Sequence, residues 1–135
     1  MPHVVIEYTD NLRADADIAA LLKKTNALLI EQRTDAGPVF PIGGIRSRAI
    51  ALTEYGIADG GADDAFVHVT VKIGAGRDAA TKKRAFDALF AMLEEHFADL
   101  YARRGLALSM EVVEFSEAGT WKHNNIHERF KAKGS

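Results

Sequence analysis

The proline at position 2 has the most distinctive chemistry in this 135-residue chain. Inside a chain its nitrogen is a non-basic amide, and proline is ordinary at the start of a strand because it donates no ladder hydrogen bond there. Removal of Met1 would convert this nitrogen into a secondary amine. Typical α-amino groups titrate at about 7.7–8.0, and desolvation or nearby cations lower that pKa. Because such an amine accepts and returns a proton near neutral pH, Pro2 is a candidate catalytic acid–base residue, and the alternative is a structural proline that begins a strand.

Three arginines beside glycine-rich turns are predicted to bind an anionic substrate. Arg46 and Arg48 follow the glycines at 43 and 44, and their two-residue spacing puts both side chains on one face of a strand. Arg77 follows the turn at 74–76, just before a predicted helix N-terminus, which favours an anion. Arginine binds carboxylates through paired hydrogen bonds. The alternative is that each arginine makes an ordinary surface ion pair.

The histidines give weaker predictions. His123 and His127 have the i, i+4 spacing of helical metal ligands, but no third ligand accompanies them, so no metal site is predicted. His3 and His68 are expected to lie near each other on adjacent strands. No phosphate-binding loop, dinucleotide fingerprint or nucleophile elbow occurs in the sequence.

A β-α-β pattern that occurs twice is predicted to position these residues. Segment 3–8 aligns with segment 68–73, an offset of 65 residues. Each strand leads into an amphipathic helix, capped by Asp15 or Asp17 in the first half and by Asp78 in the second, and then into another strand. Both crossovers are long enough to join parallel strands. The pattern predicts an α/β fold of the α+β two-layer sandwich type, with a four-stranded sheet and two helices on one face.

The chain is expected to form a single domain over residues 1–135, since its length suits one hydrophobic core. Repeat one covers about 2–56 and repeat two about 65–116, with a polar connector between them. Residues 117–135 form a C-terminal arm that is predicted to dock on the body or on a neighbour.

The sheet face away from the helices is predicted to be mixed in character. We expect it to carry polar residues and a few apolar ones: His3, Glu7, His68, Thr70 and Lys72, with Val5, Ala49 and Ala51. This face is either exposed or packed against the sheets of other subunits, which would also cover the sheet edges. We favour an oligomer.

The composition excludes several classes of protein. Hydrophobic residues are 47% of the chain and charged residues 27%, as in globular proteins rather than disordered ones. The net charge of −2 and the scattered basic residues argue against a nucleic-acid partner. The absence of cysteine excludes disulfides and thiolate chemistry. With no signal-peptide pattern and no membrane-spanning apolar run, we expect a cytoplasmic protein without a membrane partner.

Four blocks, in order, resemble the 5-carboxymethyl-2-hydroxymuconate isomerase family. These are MPH at 1–3, FPIGGIRSR at 40–48, AFVHVTVKIGAGR at 65–77 and KHNNIH at 122–127. That family belongs to the tautomerase superfamily, alongside 4-oxalocrotonate tautomerase and macrophage migration inhibitory factor. The resemblance implies a tautomerase-like homotrimer whose sites lie between or beside subunits.

The resemblance also implies an activity and roles for the candidate residues. It implies a cofactor-independent isomerase that converts a 2-hydroxymuconate dienol, a small carboxylate, to its conjugated 2-oxo isomer in homoprotocatechuate breakdown. Pro2 would act as general base and acid, while Arg46 and Arg77 would bind carboxylates and stabilise the developing dienolate charge. Arg48 would assist in binding or be structural. Two alternatives stay open: a proline-dependent tautomerase for another 2-hydroxydienoate or enol, and a non-catalytic trimeric binding module.

Overall fold

The computed structural model describes residues 1–133, and residues 134 and 135 of the predicted arm lie outside the described part. The first repeat forms a strand, a helix and a strand, as predicted, with a short hairpin added between the helix and the second strand. Its elements are β1 (His3–Thr9), α1 (Ile18–Glu31), β2 (Arg33–Thr34), β3 (Gly37–Pro38) and β4 (Arg46–Leu52), with 3-10 turns at Asp10–Leu12 and Ile42–Gly44.

The second repeat has the same order of main elements. Its elements are β5 (Ala65–Gly74), α2 (Ala79–His96), α3 (Ala98–Arg103) and β6 (Leu106–Phe115). The sequence pattern predicted one continuous helix here, and the structure divides it at Phe97, whose backbone leaves the helical conformation. The arm that follows contains two 3-10 segments, Glu117–Gly119 and Ile126–Lys133.

Aspartates cap both main helices. Oδ1 of Asp17 accepts a hydrogen bond from the backbone N–H of Ala20 at 3.3 Å, and Oδ1 of Asp78 accepts one from that of Thr81 at 2.7 Å. The prediction for Asp78 is confirmed, and of the two candidates for the first helix the cap is Asp17. These carboxylates satisfy N–H groups that have no partner in the first turn, so they fix where each helix begins. The cap residue of α2, Asp78, directly follows Arg77, the third candidate arginine.

The strands form one sheet in the order β4-β1-β5-β6. β1 pairs with β4 and β5 with β6 in parallel, as predicted, whereas β1 and β5 pair antiparallel. His3 therefore faces Lys72, and His68 faces Glu7. The predicted proximity of His3 and His68 is wrong, because the equivalent strands of the two repeats, β1 and β5, run antiparallel. The two histidines lie four positions apart along the sheet, roughly 13 Å at strand spacing.

The core lies between the sheet and the helices. Alternate residues of β1 and β5 and the inward stripes of α1 and α2 form it, and the following side chains are at most 3% exposed: Val4, Ile6, Val67, Val69, Val71, Leu21, Leu29, Leu89 and Leu93. The predicted two-layer sandwich is confirmed. Helices that cross a bilayer need about 20 apolar residues, and none of the helices in residues 1–133 is long and apolar enough to do so.

The other face of the sheet is left open by the described helices. The predicted polar residues lie on it, together with Val5 and both strand arginines, because they alternate with the buried residues: His3, Glu7, His68, Thr70, Lys72, Arg46 and Arg48. The expectation for Ala49 and Ala51 is wrong. They pair with the buried residues Ile6 and Tyr8 and pack on the core.

Candidate active site

The N-terminus lies where β1 begins, beside the 3-10 turn that leads into β4. Pro2 is buried, and its carbonyl oxygen accepts a hydrogen bond from the backbone N–H of Arg46 at 3.0 Å. Met1 is half-buried. Gly44 packs closely against it, since a Cβ on that glycine would lie 3.3 Å from the Met1 Cα. The pairing of β1 with β4 therefore brings the N-terminus next to a predicted substrate-binding arginine.

Met1 forms part of the wall of a cavity of about 340 Å³. The other lining residues come from the sheet and from the arm: His3, Arg46, Lys72, Phe115, Thr120, Trp121, Lys122, His123 and Asn124. Three of them are cations, and within the described residues only Lys122 has an acidic partner, Glu117, at 3.3 Å. The lining combines net positive charge with two aromatic side chains, which suits a small, unsaturated carboxylate.

The terminal amine in this cleft has an altered basicity. Burial, followed by the positive charges of Arg77, Lys122 and Arg46, lowers the pKa of the Met1 amino group from its ordinary value of 8.0 to about 6. Glu117 acts in the opposite direction and raises that pKa. Burial and the three cations disfavour the protonated form of the amine. The Met1 amine is therefore predominantly the free base at neutral pH.

Arg77 acts on this amine while it is held outside the cavity lining. Its Nε donates to the carbonyl oxygen of Val39 at 3.1 Å, and its Nη1 donates to that of Gly74 at 3.0 Å. The guanidinium carbon lies 4.7 Å from the centroid of the Phe40 ring, a cation–π contact. Burial lowers the pKa of Arg77 below its ordinary value. This arginine thus has a structural task, and its charge contributes to the field at the N-terminus.

Arg46 and Arg48 share the open face, as their spacing predicts, but they have different surroundings. Arg46 lines the cavity, and its single side-chain hydrogen bond in the described part of the chain is a long one, 3.4 Å from Nη1 to the carbonyl oxygen of Gly44. Arg48 does not line the cavity, and its Nη1 donates to Nδ1 of His3, which does, at 3.3 Å. Burial and then Arg48 lower the pKa of His3, which favours the neutral imidazole. Arg46 is therefore the one with a guanidinium free for a ligand.

The C-terminal arm docks on the body and closes one side of the cavity. Nδ2 of Asn124 donates to the carbonyl oxygen of Gly43 at 2.8 Å. His127 packs directly on the same glycine, because a Cβ added to Gly43 would lie 2.9 Å from the His127 Cα. Docking on the body, one of the two predicted positions of the arm, is confirmed for these residues. Trp121 stays 89% exposed at the cavity rim.

The sequence of this chain matches a family model described as 5-carboxymethyl-2-hydroxymuconate isomerase over residues 2–130. The chain belongs to this family. A relative from Escherichia coli, named 5-carboxymethyl-2-hydroxymuconate Delta-isomerase, is 42% identical over 131 residues, which are 97% of this chain and 100% of that protein. The crystal structure of a 5-carboxymethyl-2-hydroxymuconate isomerase from Deinococcus radiodurans R1 is 54% identical, has a TM-score of 0.87, and covers 96% of this chain and 93% of that chain. The chain is thus an isomerase by family, and the sequence-based resemblance is confirmed.

More distant structures share the fold of this isomerase family. One is described as a W0 fused 4-OT wild type symmetric trimer; it is 15% identical, has a TM-score of 0.63, and covers 90% of this chain and 93% of that chain. At this identity the likeness shows the fold alone. It confirms the predicted tautomerase-like architecture.

Sequence reasoning missed part of the cavity that this family member forms around its N-terminus. Lys72 was assigned only to the open sheet face, yet the antiparallel register puts it opposite His3. Lys122 and Asn124 stand in one of the four resembling blocks, so a signal was present, but nothing in the sequence placed that block beside Met1. The contribution of the arm depends on tertiary docking.

Two other features do not converge on chemistry. His123 and His127 belong to no group of three or more metal-binding side chains within residues 1–133. A larger cavity of about 530 Å³ lies between α2, α3 and β6, far from the N-terminal cations, and among the described residues that line it only Glu94 is charged. The cleft at Met1 is the site that combines titratable and anion-binding groups.

Proposed function

We propose that this chain isomerises 5-carboxymethyl-2-hydroxymuconate to its conjugated 2-oxo isomer, with the Pro2 amine, exposed by removal of Met1, as general base and general acid. The observation that carries the proposal is the position of the N-terminus in a cation-lined cavity, where burial and nearby cations lower the pKa of the Met1 amino group to about 6. Family membership supplies the substrate class.

The reaction is a proton transfer within one conjugated system. The amine takes the proton of the 2-hydroxyl group as the O–H bond breaks and the carbonyl forms. The displaced electron pair shifts along the dienol, and the same proton, or one from water, forms a new C–H bond at carbon 5. One double bond remains, conjugated with the new carbonyl. Protons and electrons balance without an oxidant or reductant, so we propose no cofactor.

Removal of Met1 would prepare the site in two ways. It converts the Pro2 nitrogen from an amide to an amine. The terminal amine thereby moves one residue along the chain, and consecutive Cα atoms are about 3.8 Å apart. The same burial and the same cations act there, so we expect the pKa of the Pro2 amine to stay below the ordinary range. Removal also vacates volume, since Met1 lines both the 340 Å³ cavity and an adjoining one of about 240 Å³.

The cations have complementary roles in this proposal. The substrate, a muconate with a carboxymethyl group, carries three carboxylates, and Arg46 binds one of them from the cavity wall. Arg77 stabilises the negative charge that develops on the dienolate, either by direct contact or through its field. Arg48, which hydrogen-bonds to His3, contributes by fixing the sheet surface beneath the site.

We propose a homotrimer as the active assembly. The symmetric trimer formed by a protein of the same fold supports this state, as do the open sheet face and the two edge strands β4 and β6. Packing those surfaces between subunits would cover unpaired strand edges.

A substrate panel tests the proposed function. Protein shown by intact mass to begin at Pro2 should convert 5-carboxymethyl-2-hydroxymuconate with a higher kcat/KM than 2-hydroxymuconate or an arylpyruvate enol. A higher kcat/KM for one of the other two would assign a different proline-dependent tautomerase. Binding without turnover of any of the three would favour the non-catalytic module and contradict the proposal.

A further inference from the structure

Lys122 is placed where it reaches both spaces beside the N-terminus. It lines the cavity of about 340 Å³ that contains Arg46 and Lys72. It also lines the adjoining cavity of about 240 Å³, together with Met1, Pro41, Gly44, Asn124 and His127. Met1 lines both spaces too, so once Met1 is removed the lysine stands where they adjoin.

The ammonium of Lys122 is paired with a carboxylate of the arm itself. Its Nζ lies 3.3 Å from Oε2 of Glu117, and its side chain is 39% exposed. Glu117 is packed close to the end of β5, because a Cβ on Gly74 would lie 3.4 Å from its Oε1. The 3-10 turn that carries this glutamate is closed by Ser116, whose Oγ accepts a hydrogen bond from the N–H of Gly119 at 3.1 Å.

We propose that Lys122 gives the cleft its third carboxylate-binding position and so determines preference for tricarboxylate over dicarboxylate ligands. The inference rests on the proposed function and deepens it. Arg46 and Lys72, which have no acidic partner among the described residues, provide the other two positions. A ligand with only two carboxylates leaves Lys122 paired with Glu117.

Lysine suits this position for a physical reason. Its ammonium is a compact charge on a flexible stem and can turn from one partner to another, whereas the planar guanidinium of arginine is bound to a fixed bidentate geometry. The Glu117 contact is partly exposed and therefore weak. A substrate carboxylate between the two cavities can therefore compete with Glu117 for the ammonium. Lys122 then binds the third carboxylate of a ligand and returns to Glu117 when the site is empty.

The test uses two saturated ligands that differ by one carboxylate, tricarballylate and glutarate, with protein that begins at Pro2. Wild-type protein should bind tricarballylate at least about tenfold more tightly than glutarate by titration calorimetry, as one added charge-assisted hydrogen bond predicts. K122A should reduce this preference to less than about threefold. K131A is the matched control, because Lys131 is a cation of the same arm that pairs with Glu128 outside both cavities. It should keep the wild-type preference.

The outcomes separate this inference from the proposed function. A wild-type protein without preference or without binding overturns the inference, as does a preference that K122A leaves unchanged. If wild-type protein turns over no 5-carboxymethyl-2-hydroxymuconate but K122A abolishes the preference, the proposed function fails and the binding role of Lys122 stands. If turnover is normal, K122A should also raise KM for that substrate by about tenfold or more with a smaller change in kcat, and an unchanged KM contradicts the inference.

Discussion

The side-chain amide of Asn124 donates a hydrogen bond to the carbonyl oxygen of Gly43 at 2.8 Å. This contact joins the C-terminal arm to the turn that leads into β4. Arg46 follows that turn, and Lys122 precedes Asn124 by two residues, so one docking contact brings together cations from the two halves of the chain. The site depends on the arm as well as on the sheet.

Gly43→Ala should displace the arm. The new Cβ would lie 2.9 Å from the backbone of His127, a clash with main chain that typically costs about 1–3 kcal/mol. We expect faster hydrogen exchange over residues 121–131 and a loss of kcat/KM of at least about tenfold. Gly56→Ala is the control, because a Cβ there meets no atom of the described residues within 4 Å. Unaltered exchange in the Gly43 variant would show that the arm is not held at this glycine.

Arg46→Ala should reduce kcat/KM by roughly 10- to 100-fold, since it removes a charge-assisted contact worth about 1.5–3 kcal/mol. Arg48→Ala is the matched variant two residues further along the same face. Its guanidinium hydrogen-bonds to His3 and does not line the cavity, so we expect less than about a threefold loss. Steady-state kinetics on both variants decide the assignment, and equal losses would contradict the distinct roles given to the two arginines.

Arg77→Lys should destabilise the fold although it keeps the charge. Lysine cannot donate to the carbonyls of both Val39 and Gly74 while stacking on the Phe40 ring. We expect the free energy of unfolding to fall by about 1–3 kcal/mol, measured by urea denaturation at a fixed protein concentration. Arg103→Lys, at an exposed ion pair with Asp99, should change it by less than about 0.5 kcal/mol. Similar free energies of unfolding for the two variants would contradict the structural role assigned to Arg77.

The acid limb of the pH–rate profile should shift in opposite directions when a nearby cation or a nearby anion is removed. The cleft lowers the pKa of the Met1 amino group to about 6, and the same surroundings should hold the pKa of the Pro2 amine below its ordinary value. We therefore expect kcat/KM to increase with pH as the amine of Pro2 becomes the free base. Arg46→Ala removes a cation that lowers the pKa and should move the limb to higher pH. Glu117→Gln removes an anion that raises the pKa and should move it to lower pH. Limbs that shift together, or remain fixed, would mean that another group controls the rate.

Local sequence patterns were sufficient to predict the main elements. The alternation of apolar and polar residues in β5 and the helical spacing of the leucines in α1 indicate which side chains are buried. Asp78 and Asp17 mark helix starts because capping is a short-range interaction. The repeat predicted which strands would be parallel. These features depend on residues close together in the chain.

Features that depend on how the halves meet were not predictable in this way. The repeat gave no direction for the pairing of β1 with β5, so His3 and His68 were wrongly expected to be neighbours, and Lys72 was not recognised as a lining residue. Lys122 is contributed by an arm whose docking partner, Gly43, is 79 positions earlier in the chain. No local pattern encodes a contact at that separation.

The most direct test compares one protein with and without its first residue. Protein that retains Met1, made with methionine aminopeptidase inhibited, should show essentially no turnover of 5-carboxymethyl-2-hydroxymuconate, because an amide nitrogen cannot accept the proton. Treatment with the aminopeptidase in vitro should restore activity in proportion to the loss of Met1 measured by intact mass. Equal activity before and after removal of Met1 would contradict a catalytic role for the amine of Pro2.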